Sequence, residues 1–296
     1  MKPSRQKKQA QPHKKIVTAA VVVAAAAAVL LAALCLRGRT EDDESLIAGL
    51  SAFQGSSRTV GQAEYDFFRV RASRSAGPDS SEEELDRLAR EQIAAVSARF
   101  TLGNYLGLCE PYSFEALAFR MEQENLIRKA KMDSGEAVYG AAQFTLESYL
   151  DYLDSNLEAD IVSCLVDSAD RPMLEQARVY YDDHPSSFAR LESVTYELED
   201  GDGLHTTETL SSDELRSLQN TNSPLSDFLS AAQPGEVLEY QTANGAAQRA
   251  TFVEARWETP EFDDAVPIAV RTWLNAEVMD SLYAAVAQNA PVVFDF

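Results

Sequence analysis

Histidine, cysteine and lysine are scarce in this chain of 296 residues, and each scarcity removes a class of function. Its three histidines and three cysteines stand nowhere at metal-ligand spacing, so the pattern supplies no zinc site. There is no Gly-x-Ser-x-Gly, no Walker sequence and no dinucleotide-binding glycine pattern, so the commonest hydrolytic and nucleotide-binding scaffolds are excluded. Beyond residue 39 only two lysines remain, Lys129 and Lys131. Residues 1–39 hold eight of the 26 Lys and Arg and none of the 47 acids, leaving 18 bases against 47 acids in the remainder, a balance of −29. A domain so charged is repelled by phosphate backbones and by anionic lipid headgroups, which argues against nucleic acid as a partner.

What is present begins with an unbroken apolar run, Ile16 to Leu36. As a helix, its 21 residues would be about 31 Å long, the thickness of a bilayer's hydrocarbon core. Lys2, Arg5, Lys7, Lys8, Lys14 and Lys15 precede it, which places residues 1–15 in the cytoplasm and the bulk of the chain outside, although Arg37 and Arg39 reduce the asymmetry. A cleaved signal peptide is the rival reading, and the run is longer than the about 7–15 residues usual for one. Cys35 follows Leu34, which is not the small residue that lipoprotein processing resembles, and so reads as an apolar membrane residue. Cys109 and Cys164 fit either two buried thiols or one disulfide.

Residues 37–58 form an acidic, Ser/Gly-containing linker with a short helix over 46–53. Thr59 and Val60 read as a strand, and Glu64 onward as a helix burying Tyr65, Phe67 and Phe68. Ser80 and Ser81 followed by three glutamates signal a second helix whose stripe is Leu85, Leu88, Ile93, Val96 and Phe100. A third runs from Ser113 to Met132, with Phe114, Leu117, Met121, Ala118 and Phe119 on one side, and a turn at 133–140 leads to a fourth from Thr145 carrying Leu146, Tyr149, Leu153, Leu157, Ile161 and Leu165. Pro172 opens a further helix that ends at His184-Pro185. From Ser193 the period becomes two. SVTYELE, EVLEYQT and RATFVEARW are strand candidates, with short helices over 211–220 and 224–232 between them. A helix over 260–288 and a terminal strand in PVVFDF complete the chain, so the fold class is α+β.

Several of these segments, taken in order, resemble the PrsA/SurA-type extracytoplasmic foldases. TVGQAEYDFFRVRA resembles that family's opening strand and helix, LDRLAREQIAAVSARFTLGNYLGL the next helix and its glycine turn, and MEQENLIRKAKMDSGEAVYGAAQFTLESYLDYLDSNL a helical hairpin of membrane-anchored Gram-positive members. ARVYYDDHPSSF resembles the approach to a parvulin-type peptidyl-prolyl isomerase domain, and FLSAAQPGEVLEYQTANGAAQRATFVEARW its closing section. The resemblance implies a helical chaperone domain (59–190) completed by the C-terminal helix and strand (259–296), with a small parvulin-like domain (191–258) inserted, and residues 292–294 paired with the strand at 59–60.

The isomerase part departs from the family where its chemistry lies. Such domains resemble a β-α-β-α-β-β unit with a histidine on the first strand and a Gly-x-His near the last hairpin. Here Thr195 and Tyr196 occupy the first place, Asn244-Gly245-Ala246-Ala247 the second, and the Gly-Gly stretch is absent. The expectation is therefore a degenerate isomerase domain with no catalytic residues, no metal and no cofactor, in a membrane-anchored, chaperone-like protein that binds unfolded or newly exported polypeptides. An active isomerase and a fixed, non-catalytic interaction module of an envelope complex are the alternatives. Chaperone surfaces hold chains with apolar and aromatic groups, which makes Tyr105, Tyr112, Tyr139, Phe144, Tyr149 and Tyr152 the client-binding candidates, although core packing competes for them. His184, in an Asp-Asp-His-Pro turn, and His205, in a polar loop, read as surface residues. Glu199 to Gly203 lacks EF-hand spacing and reads as a hairpin turn.

Overall fold

The computed structural model describes residues 45–77, 79–201, 203–242 and 245–296. The basic tail and the apolar run at 16–36 lie outside them; among the described residues no helix is long and apolar enough to cross a membrane. The fold is α+β and divides into two units. The first ends at Gln176 and resumes as Val270–Phe296; the second is Ala177–Ala269.

The first unit contains α1 (Leu46–Ser51), β1 (Arg58–Val60), α2 (Gln62–Ser75), α3 (Glu82–Tyr105), α4 (Phe114–Asp133) and α5 (Leu146–Asp167). It also takes the start of α6 (Arg171–Asp183), and after a π-helical turn at Leu274–Val278 it closes with α10 (Met279–Asn289) and β6 (Val292–Phe294). Serine and threonine set the helix starts. Ser81 accepts from Glu84 N at 3.2 Å, Ser113 from Ala116 N at 3.3 Å, and Thr145 with Ser148 forms a reciprocal capping box, each satisfying amides that the first turn leaves unpaired. α3 packs on α2, α5 and α10 through Ile93, Leu102, Ile161, Leu165 and Leu282, all with essentially no solvent exposure. At Gly103 a Cβ would stand 2.6 Å from Leu157 Cδ1, so any larger residue there would force the Leu157 side chain to move between α3 and α5.

β1 and β6 pair in parallel, Arg58 with Val292, Thr59 with Val293 and Val60 with Phe294. The strand delivers Arg58 to a polar cluster. Its guanidinium grips Glu64 with two bonds of 2.7 and 2.9 Å, donates to Ser97 Oγ at 3.0 and 2.7 Å, and lies 4.8 Å from the Tyr112 ring centre. The long C-terminal helix begins at Phe262 rather than Pro260 and is not uniform. Its first part, α9 (Phe262–Trp273), contains Pro267, and the π turn adds a residue to one turn so that Leu274, Val278 and Leu282 all stay buried. Cys109 is a free thiol, which excludes a 109–164 disulfide; burial pushes its pKa up to about 11.

The second unit is a four-stranded antiparallel sheet in the order β3-β2-β5-β4, made of β2 (Arg190–Asp200), β3 (His205–Ser211), β4 (Val237–Gln241) and β5 (Ala247–Glu258). Between β3 and β4 lie α7 (Ser212–Leu218) and α8 (Ser223–Ala231), which cover one sheet face. Val194, Tyr196, Leu215, Leu225, Leu229, Ala250 and Phe252 make that core. Tyr181, Phe188, Phe262, Ala265 and Ala269 form a second cluster within the same unit. The element order is β-β-α-α-β-β, which differs from the β-α-β-α-β-β order that the resemblance implied. His205, read as part of a polar loop, instead starts β3. That strand is exposed along nearly its whole length, and an edge strand with little buried face shows no apolar alternation to reveal it. The hairpin reading of the turn before it agrees with the structure: Gly203, at φ 78°, donates to Asp200 O at 3.0 Å and closes it.

Candidate functional site

In the second unit, the place where isomerase chemistry would stand holds none of the expected imidazoles. On β2, Tyr196 points under the helices and donates to Glu208; burial first, and then that carboxylate, raise its phenol pKa. Thr195 lies on the opposite, open face, hydrogen bonded to Thr209 Oγ1 at 3.0 Å. His205 is on that open face at the far end, its Nε2 3.9 Å from Glu199, whose other oxygen is 3.6 Å from Arg249. This cross-strand row is polar and open to solvent. Among the described residues no group of three His, Cys, Asp or Glu is placed to hold a metal.

The first unit carries the more distinctive surface, on the hairpin of α4 and α5. The six aromatic candidates divide there. Tyr139, Tyr105 and Tyr152 are exposed, whereas Phe144 and Tyr149 are buried and Tyr112 is half-buried. Phe144 packs at a tilt against both Tyr149 and Tyr152, with ring centres 5.5 and 5.1 Å away, so it organises the hairpin rather than presenting itself outward. Tyr112 packs on Phe100 at 5.0 Å, and its hydroxyl is buried with no hydrogen-bond partner; burial and the charge of Glu64 hold that phenol protonated. Phe144, Tyr149 and Tyr112 therefore serve packing.

The polarity of α4 is mixed on both sides. Its inward side uses Leu117 together with polar groups: Arg128 donates to Glu124 at 2.9 Å and to the carbonyls of Tyr139 and Ala141 at 2.9 and 2.8 Å, with the Phe144 ring centre 4.4 Å from its guanidinium. Asn125 exchanges two hydrogen bonds with the backbone of Phe144, at 3.0 and 2.7 Å. These contacts clip the 134–144 loop onto the helix. The outward side exposes large apolar residues among charged and polar ones: Phe119 is 63% exposed, Leu126 61% and Ile127 51%, with Glu115, Glu122, Gln123 and Lys129 around them; Tyr139, on the clipped loop, is 87% exposed. Phe119, Gln123, Leu126 and Ala130 recur at spacings of four, three and four, one face of a helix. The sequence reading grouped Phe119 with the buried side; the structure turns it outward. The 4-3-4 recurrence was the available signal, masked because Phe114, Leu117 and Met121 form a second apolar line on the same helix.

No family model matches the chain, and no curated protein matches it significantly. Among solved structures, a SurA-like chaperone of Campylobacter jejuni aligns with a TM-score of 0.27 and 10% identity over 75% of this chain and 88% of that one. The foldase protein PrsA of Streptococcus pneumoniae aligns with a TM-score of 0.25 and 8% identity over 72% of this chain and 90% of its own. Likeness at this level carries no functional weight, and the surface described above stands on its own geometry.

Proposed function

We propose that this chain holds unfolded or newly exported polypeptides by apolar contact and releases them without chemistry, anchored by residues 16–36 with its main units outside the cell membrane. The observation that carries the reading is the exposure on α4 of three large apolar residues, Phe119, Leu126 and Ile127, in the unit that also exposes Tyr139. Large apolar side chains grouped on an exposed helix face lose favourable burial unless something covers them, and an unfolded chain supplies extended apolar segments of no fixed sequence. The −29 balance beyond residue 39 keeps the loaded protein soluble and favours basic clients.

The full chain in lipid nanodiscs, at a stoichiometric amount, is expected to keep an unfolded client from sedimenting without added nucleotide. Phe119→Glu with Leu126→Glu is expected to weaken client affinity about ten- to a hundredfold, as removal of two central apolar anchors does. Raising the salt should weaken holding of basic clients and leave apolar neutral ones held. Unchanged client sedimentation at low and high salt alike would overturn the reading.

A second expected result concerns catalysis. With Thr195 on the open face and Tyr196 under the helices, β2 brings no imidazole to a twisted prolyl amide, whose uncatalysed barrier is about 18–20 kcal/mol. In NMR exchange measurements on a prolyl peptide the protein should accelerate isomerisation little beyond background; robust turnover would favour an active isomerase instead.

A further inference from the structure

We propose that the free edge of β5 over residues 254–258 takes up an extended polypeptide segment as an added strand, one in which a lysine or arginine stands between two apolar residues. This second polypeptide site lies wholly in the second unit and does not rest on the reading of α4. It begins in a mismatch of strand lengths. β5 has 12 residues, whereas β4 has five and pairs only with residues 247–251. Phe252 still exchanges two backbone bonds with the incoming chain, its N donating to Glu236 O and its O accepting from Gly235 N, both at 2.9 Å. There the Pro234-Gly235 turn, with Gly235 at φ 89°, brings the chain in from α8. Beyond it, residues 254–258 pair with β2 on one side and, among the described residues, with no strand on the other. Such an edge leaves amides and carbonyls that one more strand can pair.

What lies beside the edge selects the occupant. A groove of about 390 Å³, within the range of ligand pockets, is walled by Leu191, Leu229, Pro234, Phe252, Ala255 and Trp257, and Trp257 is 62% exposed. Ala255 is set against Val194 and Trp257 against Leu191, which places both on the helix-covered face. Glu254 is set against Thr195 and so stands on the open face. An added strand alternates in the same way: the residue opposite Glu254 lies outside, and its two neighbours turn toward the groove. Charge fixes that middle residue. Arg256 bridges Glu192 at 2.9 Å, Arg190 stands across from Glu258, and Glu236 accepts from the Gln233 amide at 3.0 Å. Glu254 is bridged to no base among the described residues, so a lysine or arginine opposite it completes a cross-strand pair. A second copy of this chain is the poorer occupant, because two regions of balance −29 repel each other. The outer edge of β3 is unpaired too, but Thr206, Thr207 and Thr209 offer it no apolar wall. Val253, an extra residue in the register with β2, makes a bulge that keeps the added strand short and its binding reversible.

The test titrates the full chain, in nanodiscs of zwitterionic lipid, into three short fluorescein-labelled peptides read by anisotropy. One carries Val-Lys-Val at the centre of a Ser/Thr sequence, one carries Val-Glu-Val there, and the third is the first with its central amides N-methylated, which removes the donors a strand needs. The Val-Lys-Val peptide is expected to bind saturably, and the Val-Glu-Val peptide about three- to tenfold more weakly. N-methylation and Trp257→Ala should each weaken binding about tenfold or more. Glu254→Lys should reverse the order of the first two peptides, which general attraction to an acidic chain cannot do, since one exchange leaves that chain strongly acidic. Phe119→Glu with Leu126→Glu should leave these affinities unchanged. Absence of saturable binding, binding indifferent to N-methylation, or binding indifferent to both Trp257→Ala and Glu254→Lys overturns the proposal. Self-association that the Val-Lys-Val peptide dissociates would give the edge to a second copy and overturn it too. Strand binding in a protein that fails to hold client would support this site and overturn the α4 reading; client holding without strand binding would do the opposite.

Discussion

Arg58→Ala is expected to lower the stability of the first unit by about 3–5 kcal/mol, seen as a clear fall in its urea midpoint. The reason lies in which partner is left behind. Glu64 has a side chain only 5% exposed, and both of its oxygens are held by Arg58, so truncating the arginine strands a carboxylate away from water. The reverse truncation is milder. In Glu64→Ala the guanidinium keeps Ser97 and the Tyr112 ring and, at 23% exposure, reaches solvent, so about 1–3 kcal/mol is expected. The double variant should cost clearly less than the two singles added, because the pair is removed together. Additive losses would mean that the two groups act independently, against the geometry. The site also ties β1 to α2 and α3, so the variant should speed hydrogen exchange at the β1–β6 pairing first.

Phe252→Ala is expected to cost the second unit a similar amount, about 3–5 kcal/mol. Phe252 is buried on β5 beside Tyr196 and Leu229, in a core formed by one face of a four-stranded sheet and two short helices. So small a core cannot close the gap that a removed ring leaves, and the cavity adds to the lost burial. Hydrogen exchange read by mass spectrometry should show the amides of β2 and β5 exchanging roughly two to three orders of magnitude faster. The inward amides of α3 and α10, in the other unit, should keep their protection. Equal loss of protection in both units would show that they unfold as one. Loss of less than about 1 kcal/mol would show that the helices repack over the sheet.

Three of the helices were legible because each states its start and its buried stripe locally. Ser81, Ser113 and Thr145 stand at their N-caps, and Ile93, Leu157, Ile161 and Leu165 recur at helical spacing. Strands β2 and β5 showed their alternation because one face of each is buried, and β4 because Leu238 and Tyr240 are partly buried on one face, whereas β3 was hidden because an exposed edge strand gives no such signal. The pairing of β1 with β6 joins residues more than 200 apart and came from resemblance; no local pattern in either tripeptide encodes it. The exposed face of α4 was the least legible part. Of six aromatics picked by composition, three are exposed, and the exposed Phe119, Leu126 and Ile127 were not among them.

By itself, then, the sequence determined the acidity beyond residue 39, the helix starts, the α-then-β order and the absence of histidine on β2, because charge, capping and identity are properties of residues and their near neighbours. Only the tertiary structure decided which side of α4 faces out. That helix carries two apolar lines, and its period is satisfied with either one buried. The choice was made by Arg128 and Asn125, which find the carbonyls of residues 139, 141 and 144 only when the polar side turns inward, leaving Phe119 and Leu126 to the solvent.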